Sequence, residues 1–419
     1  MNNSLIYRLD WWLILIYLLL VTVGIVNVYS ATYNESFNSI FDLSQLIGKQ
    51  LLFFIISLVL GLIVLGINIK FFEHFAPIGY IISIVLLIGL FVFGKTVSGA
   101  NSWYNLGGIS LQPSEFSKIT TALMIARFMG KFQSDLKRPR TLLRITFYLF
   151  IPSILIILQP DPGSALVFSA FFFPLFREGL SFNFLIIFFS LLTLFFISLS
   201  YEFIESIGII GILFLIIYFI LKRFISKMKI WPFILTFLIS VGFSFSADYI
   251  FNNFFEQRHR DRINIVMGKN LDTQGVGYNI NQSKIAIGSG GLKGKGFLKG
   301  TQTKGDFVPE QQTDYIFSTV GEEWGFLGSL AVILMFGFLI IRILIRAEKQ
   351  NSKFRRFFSY GVAGLIFVHF FVNIGMSLGI VPTIGIPLPF ISYGGSNLLA
   401  FSIMIFIHLN FDANRLNEW

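Results

Sequence analysis

The sequence predicts an all-α polytopic membrane protein of about twelve transmembrane helices, and three observations carry that prediction. Of 419 residues, 55% are hydrophobic and only 13% are charged, about half the share usual in soluble domains. Apolar runs of about 20 residues, enough to cross ~30 Å of hydrocarbon as a helix, recur from Trp12 to Phe411. These runs offer water no polar face, which argues against a single soluble core built around the 52 Phe.

In chain order the spans fall near 11–30, 46–67, 76–94, 113–130, 142–158, 163–178, 183–200, 204–221, 231–252, 323–345, 357–379 and 393–411. A short polar leader precedes the first and shows no small-residue cleavage site, so an uncleaved span is expected rather than a signal peptide. Pro113 suits the first turn of the fourth, where its missing N–H costs no hydrogen bond. The sixth is short and flanked by Pro162 and Pro174, so it is expected to be broken, tilted or shielded by neighbouring protein. Segments 130–144, 222–229 and 342–356 fall on one side and together hold fifteen Lys and Arg. That asymmetry places these loops and both termini in the cytoplasm. The net charge of +10 then serves orientation and contact with anionic headgroups, and its division among membrane-proximal loops argues against a nucleic-acid partner.

Residues 1–419 are therefore expected to form one integral membrane domain with three notable outer loops. The loop 95–112 carries Trp103, Tyr104 and Gln112; the loop 380–392 is rich in Pro and Gly; and 253–322 is a large, polar, extracytoplasmic segment. The last is too long for a connector and keeps apolar anchors at Ile263, Tyr278, Ile285, Phe297 and Phe307, which marks it as an ordered functional loop. The absence of Cys excludes disulfide and thiol chemistry, and His74, His259, His369 and His408 are too scattered to read as a ligand set. The Gly-rich stretch 288–296 lacks the strand, helix and terminal Ser or Thr of a phosphate loop.

Few charged residues are placed to do chemistry. Glu115 and Lys118 stand three apart near the outer end of the fourth span, sharing one helical face; they either line a polar cavity or form a structural ion pair. Asp272 sits in Asn270-Leu271-Asp272-Thr273-Gln274-Gly275, ahead of Gln282 and Ser283; it fits a general base, though the local pattern alone fits a solvated turn better. Arg258, Arg260 and Arg262, with Lys284, Lys293, Lys295 and Lys299 and the carboxylates Asp306, Glu310, Asp314, Glu322 and Glu323, form a mixed charged set whose basic members suit a diphosphate headgroup or a merely solvated charged face. Asp161, between two prolines, reads first as a turn former. The string from Pro382 to Ser396, including Ser392, has the look of broken, closely packed backbone beside a cavity.

Taken jointly, Gln112-Pro113-Ser114-Glu115 with Lys118, Gln159-Pro160-Asp161-Pro162-Gly163, the run Gly277–Gly291, Pro309-Glu310 with Thr313–Phe317, and the final Pro/Gly string resemble the SEDS family (shape, elongation, division and sporulation), in its RodA-like branch. The resemblance covers about 10–178 and 253–411. It implies a SEDS-type helical bundle and a peptidoglycan glycosyltransferase of the bacterial inner membrane, active during cell elongation. Lipid II would be polymerised into β-1,4-linked glycan on the outer face, with release of undecaprenyl diphosphate. It implies Asp272 as the essential base and Trp103, Gln112, Glu115, Lys118, Gln282, Ser283, Ser392 and Ser396 as substrate-cavity residues. Arg258, Arg260 and Arg262 are the candidates for the headgroup or diphosphate. No organic cofactor is implied; a divalent cation, Mg2+ or Mn2+, could assist. The implied partners are a class B penicillin-binding protein and other elongation-complex proteins. Two departures stand out: Thr273-Gln274 follows Asp272 where relatives often have Pro, and 179–252 holds three helices where the family has one, an apparent inserted pair beside ten family-like spans. A precursor transporter or a noncatalytic scaffold for a penicillin-binding protein would share the same hydropathy and stays open.

Overall fold

The computed structural model describes residues 5–33, 39–97, 99–107, 109–131, 135–224, 229–253, 255, 257–269 and 276–415. Helices α1 (Leu5–Arg8), α2 (Trp11–Thr32), α3 (Leu46–Gly66) and α4 (Ile69–Phe93) lead into a small antiparallel sheet of β1 (Lys95–Val97), β2 (Ala100–Leu106) and β3 (Ile109–Leu111). Then come α5 (Pro113–Gly130), α6 (Pro139–Ile157), α7 (Pro162–Leu166), a 3-10 turn (Val167–Phe171), α8 (Phe172–Arg177), α9 (Phe182–Ser200), α10 (Phe203–Phe224) and α11 (Trp231–Asn253). The chain closes with α12 (Gln257–Val266), α13 (Val276–Ser289), α14 (Thr301–Lys304), α15 (Ile316–Glu348), α16 (Lys353–Ser377) and α17 (Gly395–Ala413).

The expected helical membrane fold is present, with corrections. Among the described residues ten helices are long and apolar enough to span: α2, α3, α4, α6, α9, α10, α11, α15, α16 and α17. The fourth and sixth expected spans are not among them. Helix α5 has 18 residues but carries Glu115, Lys118 and Arg127, and Pro162–Arg177 is broken into α7, the 3-10 turn and α8. The loop 95–112 folds as a sheet, with Tyr104 opposite Leu111 and Lys95 opposite Trp103, so the chain is not strictly all-α. The stretch 253–322, expected as an ordered loop, holds α12, α13, α14 and the first turns of α15.

Two compact units divide the chain: Met1–Gly179 with Tyr278–Trp419, and Leu180–Gly277. In the smaller unit α9, α10 and α11 pack together, and Ser198 Oγ donates to the Ser244 carbonyl at 2.6 Å. Their outward faces carry exposed Phe, Leu and Ile such as Phe189, Ile212 and Leu235, as suits helices long and apolar enough to span.

In the larger unit α16 and α17 form the centre, each largely buried. Helix α17 is the least apolar of the spanning helices because its polar groups point into the bundle, where each needs a partner. Tyr17 and Ser402 meet at 2.9 Å, His408 Nδ1 meets Ser359 Oγ at 2.8 Å, and Asn410 Nδ2 donates to the Val64 and Ile67 carbonyls. Helix α15 breaks at Gly325, whose φ of 66° and ψ of −160° suit glycine. The Gly-rich stretch docks there: Phe326 N donates to Gly291 O at 2.8 Å and Gly296 N to Glu323 O at 3.0 Å. A side chain on Gly325 would collide with the Gly291 and Gly294 backbone.

Ion pairs close one end of this unit. Asp10 caps α2 and receives Arg342 at 2.8 Å and Arg346 at 2.5 Å; Arg346 also lies 3.5 Å from Asp412, and Arg356 grips Glu178 at 2.6 Å. The start of α2, the end of α17 and the turn between α15 and α16 therefore share that end. The sheet and the 379–394 loop occupy the other.

Candidate active site

Helix α5 enters the bundle at Gln112, with Pro113 at its first position. One turn further in, Lys118 Nζ lies 2.7 Å from Glu115 Oε1 and 3.0 Å from His369 Nε2 on α16. Asn397 of α17 donates from Nδ2 to Glu115 Oε2 at 3.2 Å, and the Phe401 ring lies 5.5 Å from the ammonium. Lys118 is 0% and Glu115 2% exposed. Buried charges are tolerated only when paired and hydrogen-bonded, and here three helices supply the partners.

Above this pair a rim of polar groups joins several chain segments. Gln112 N–H donates to Ser396 Oγ at 3.0 Å, and Ser396 Oγ in turn reaches the Ser110 carbonyl at 3.4 Å. Gln112 Nε2 donates to Asp161 Oδ2 at 3.3 Å. Asp161 caps α7, accepting from Ser164 N at 3.0 Å and Ser164 Oγ at 2.8 Å, as a turn former should. Ser392 Oγ donates to Thr313 O at 2.5 Å and accepts from Leu388 N at 2.8 Å. Asn373 Nδ2 bridges the Asp314 and Ile386 carbonyls at 2.8 Å each, and Tyr315 and Thr383 hydroxyls meet at 2.8 Å. Glycines permit the close approach: a side chain on Gly163 would strike the Ile384 carbonyl. Burial pushes the Tyr393 hydroxyl pKa above its usual 10.0.

The structure thus brings Gln112, Glu115, Lys118, Ser392 and Ser396 to one end of the larger unit. Ser283 also belongs to that unit: it is buried on α13 and donates to the Ser377 carbonyl at 2.9 Å, tying α13 to the end of α16. Gln282 is half-buried beside it, and Trp103 is half-buried on β2. Asp272 lies outside the described residues, as does the Arg258 side chain. In the smaller unit, Arg260 of α12 donates to the Asn252 carbonyl at 2.7 Å, and Arg262 follows on the same helix. Among the described residues no three His, Asp or Glu side chains come together as metal ligands.

Sequence reasoning missed His369, Asn373 and Asn397 as members of the network. The available signal was modest: His369 and Asn373 stand four apart on an otherwise apolar helix, and so share a face. It also read Glu322 and Lys295 only as part of a mixed charged set. Glu322, fully buried, receives Lys295 Nζ at 2.7 Å, the Gln302 and Thr303 amides at 2.8 Å, and Thr303 Oγ1 at 2.7 Å. Its neighbour Glu323 accepts from Ser30 at 2.5 Å. Glu322 thereby anchors the Gly-rich stretch to α15, while Glu323 ties α15 to α2.

Comparison with known proteins places this geometry in context. The family described as cell cycle protein, FtsW/RodA/SpoVE, matches residues 10–206 and 203–417. The peptidoglycan glycosyltransferase MrdB of Escherichia coli K12 is 33% identical over 406 residues, covering 96% of this chain and 94% of that one. The peptidoglycan glycosyltransferase RodA of Treponema pallidum is 32% identical over 430 residues, covering 97% and 98%. In fold, the chain resembles one from a peptidoglycan synthase complex described for its structural coordination of polymerization and crosslinking, with TM-score 0.71, 23% identity and coverage of 98% and 99%. The rod shape determining protein RodA of Thermus thermophilus gives 0.63 at 22% identity, covering 97% of each chain. With both family segments matched and near-complete coverage of relatives above 30% identity, the chain belongs to the FtsW/RodA/SpoVE family.

Proposed function

We propose that this protein is a peptidoglycan glycosyltransferase of the RodA type, polymerising lipid II at the outer face of the bacterial cytoplasmic membrane. The observation that carries the reading is its similarity, over almost its whole length, to relatives bearing that activity as their name. The polar rim supports it, because the Gln112, Asp161, Ser392 and Ser396 groups gather at one end of an otherwise apolar bundle, where a sugar could be met.

In the proposed reaction the 4-hydroxyl of an acceptor GlcNAc attacks C1 of the MurNAc at the reducing end of the lipid-linked chain. The C1–O bond to undecaprenyl diphosphate breaks, a β-1,4 bond forms with inversion, and the hydroxyl proton passes to Asp272. That transfer requires the carboxylate within about 2.6–3.2 Å of the hydroxyl. The leaving diphosphate gains charge as the bond breaks, and preorganised cations are the strongest means of stabilising it. Arg258, Arg260 and Arg262 are proposed to contact it; Lys118, six residues along α5 from Gln112, is proposed as a fixed interior charge of the larger unit. A divalent cation, Mg2+ or Mn2+, would assist at the leaving diphosphate if bound, and no step is routed through it. The partner proposed is a class B penicillin-binding protein that crosslinks the new strand. Both termini are proposed to be cytoplasmic, on the side of the basic 342–356 loop.

Reconstitution of the full chain with pure lipid II and the partner's ectodomain tests the class and the base together. The parent should yield long glycan and D272A none. Lipid II moved between leaflets but left monomeric would identify a transporter instead, and partner binding without turnover would identify a scaffold.

A further inference from the structure

The imidazole of His369 is 1% exposed and makes two polar contacts of opposite demand. Nδ1 lies 3.0 Å from the Pro387 carbonyl oxygen, where only a protonated nitrogen forms a hydrogen bond. Nε2 lies 3.0 Å from Lys118 Nζ. A cationic ring would aim a second N–H at the ammonium, whereas the neutral Nδ1–H tautomer offers it a lone pair. The two contacts together therefore select one tautomer. An edge-on contact with Phe401, ring centroids 4.8 Å apart at 81°, fixes the plane of the ring. Pro387 lies in the 379–394 loop, which Asn373 holds by its bond to the Ile386 carbonyl at 2.8 Å.

We infer that His369 is a positioning residue for glycosyl transfer, locking the Lys118 ammonium of α5 to the backbone of the 379–394 loop. Glu115 alone would leave the flexible four-carbon stem of Lys118 held from one side, on its own helix. The imidazole supplies a second, rigid point on another helix, and it ties that point to the loop carrying Ser392. Preorganised charge costs no reorganisation when the leaving group ionises, and misplacement by about 1 Å can cost on the order of 10²-fold in rate. The inference rests on the transferase reading above and assigns to it a residue that touches no substrate.

Two measurements on the full chain test it. In the reconstituted assay, H369L should lower kcat about tenfold or more while leaving KM within about twofold and the unfolding midpoint near the parent's. H369Q should recover most of that loss, because its amide presents a donor and an acceptor to the same two partners. A space-filling role gives the reverse order, Leu better tolerated than Gln, and that order overturns the inference, as does H369L turnover equal to the parent's. The second measurement needs no turnover. With [15N]histidine labelling, the signal removed by H369Q should be an Nδ1–H tautomer whose Nε2 resonance shifts in K118M; an Nε2–H tautomer overturns the inference even where H369L does not fold. A parent that fails to polymerise lipid II removes the transferase reading instead, while the tautomer still reports on the lock.

Discussion

At the Asp10 end of the larger unit three ion-paired arginines stay in reach of solvent: Arg342 is 26% exposed, Arg346 17% and Arg356 20%. At the opposite end Lys118 and Glu115 are 0% and 2% exposed, and their partners come from α16 and α17. The first arrangement fastens helix termini while its guanidinium groups stay partly hydrated. The second removes both charges from water, so each depends on the other for its place in the bundle. Charge of the same kind is therefore a clamp in one place and a fixed interior charge in the other.

The contrast is broken most severely by removing one member of the buried pair. K118M leaves the buried Glu115 carboxyl without its cation and with Asn397 as its remaining partner, and stability should fall by about 3–5 kcal/mol, read as a lower unfolding midpoint in nanodiscs. E115Q/K118M should regain at least half of the loss, since no orphan charge then remains. A K118M variant as stable as the parent would mean that water reaches the pair and the contrast is unsound.

Asp10 offers a smaller, pH-dependent test at the other end. Burial alone would raise its pKa, but hydrogen bonds and charge from Arg342 and Arg346 outweigh that and hold it below the usual 3.8. A carboxyl whose folded pKa is depressed contributes stability that is fully present above its unfolded value and is lost as pH falls through the folded one. D10N should thus cost about 1.5–3 kcal/mol at neutral pH, and the gap from the parent should narrow below pH 3.8. A gap that stays constant in acid would remove the carboxylate from the account.

The same division between local and distant partners governs what could be read from the sequence. The expected spans 46–67 and 231–252 match Leu46–Gly66 and Trp231–Asn253 closely, because hydropathy over 20 residues is a local property. Pro162 and Pro174 likewise announced the broken segment. Helix α15 begins at Ile316 rather than 323, since Glu322 and Glu323 lowered the local hydropathy and their partners, Lys295 and Ser30, are remote. The sheet at 95–111 was not legible because β1 and β3 have three residues each, too few to show a two-residue period. His369 lies 251 positions from Lys118, and nothing near it in sequence names that partner. The polar rim was partly legible because Gln112, Asp161, Thr313, Ser392 and Ser396 stand within recognisable strings, whereas nothing in those strings says which of them meet.

The mildest test uses a pair that is exposed on both sides. Arg177 forks onto both oxygens of Glu348 at 2.6 Å each, Tyr360 donates to the same carboxylate, and the two charged side chains are 43% and 44% exposed. Its two contacts are shorter and more even than the 2.8 and 3.1 Å fork of Arg342 on Asp10, so a ranking by fork geometry alone would make it the stronger. A ranking by burial makes it the weakest, because hydrated, screened charges gain little from meeting. R177Q should therefore cost about 1 kcal/mol or less, and the loss should shrink further as salt is raised. A loss equal to that of D10N would show that bidentate geometry, rather than removal from water, sets the strength of these pairs.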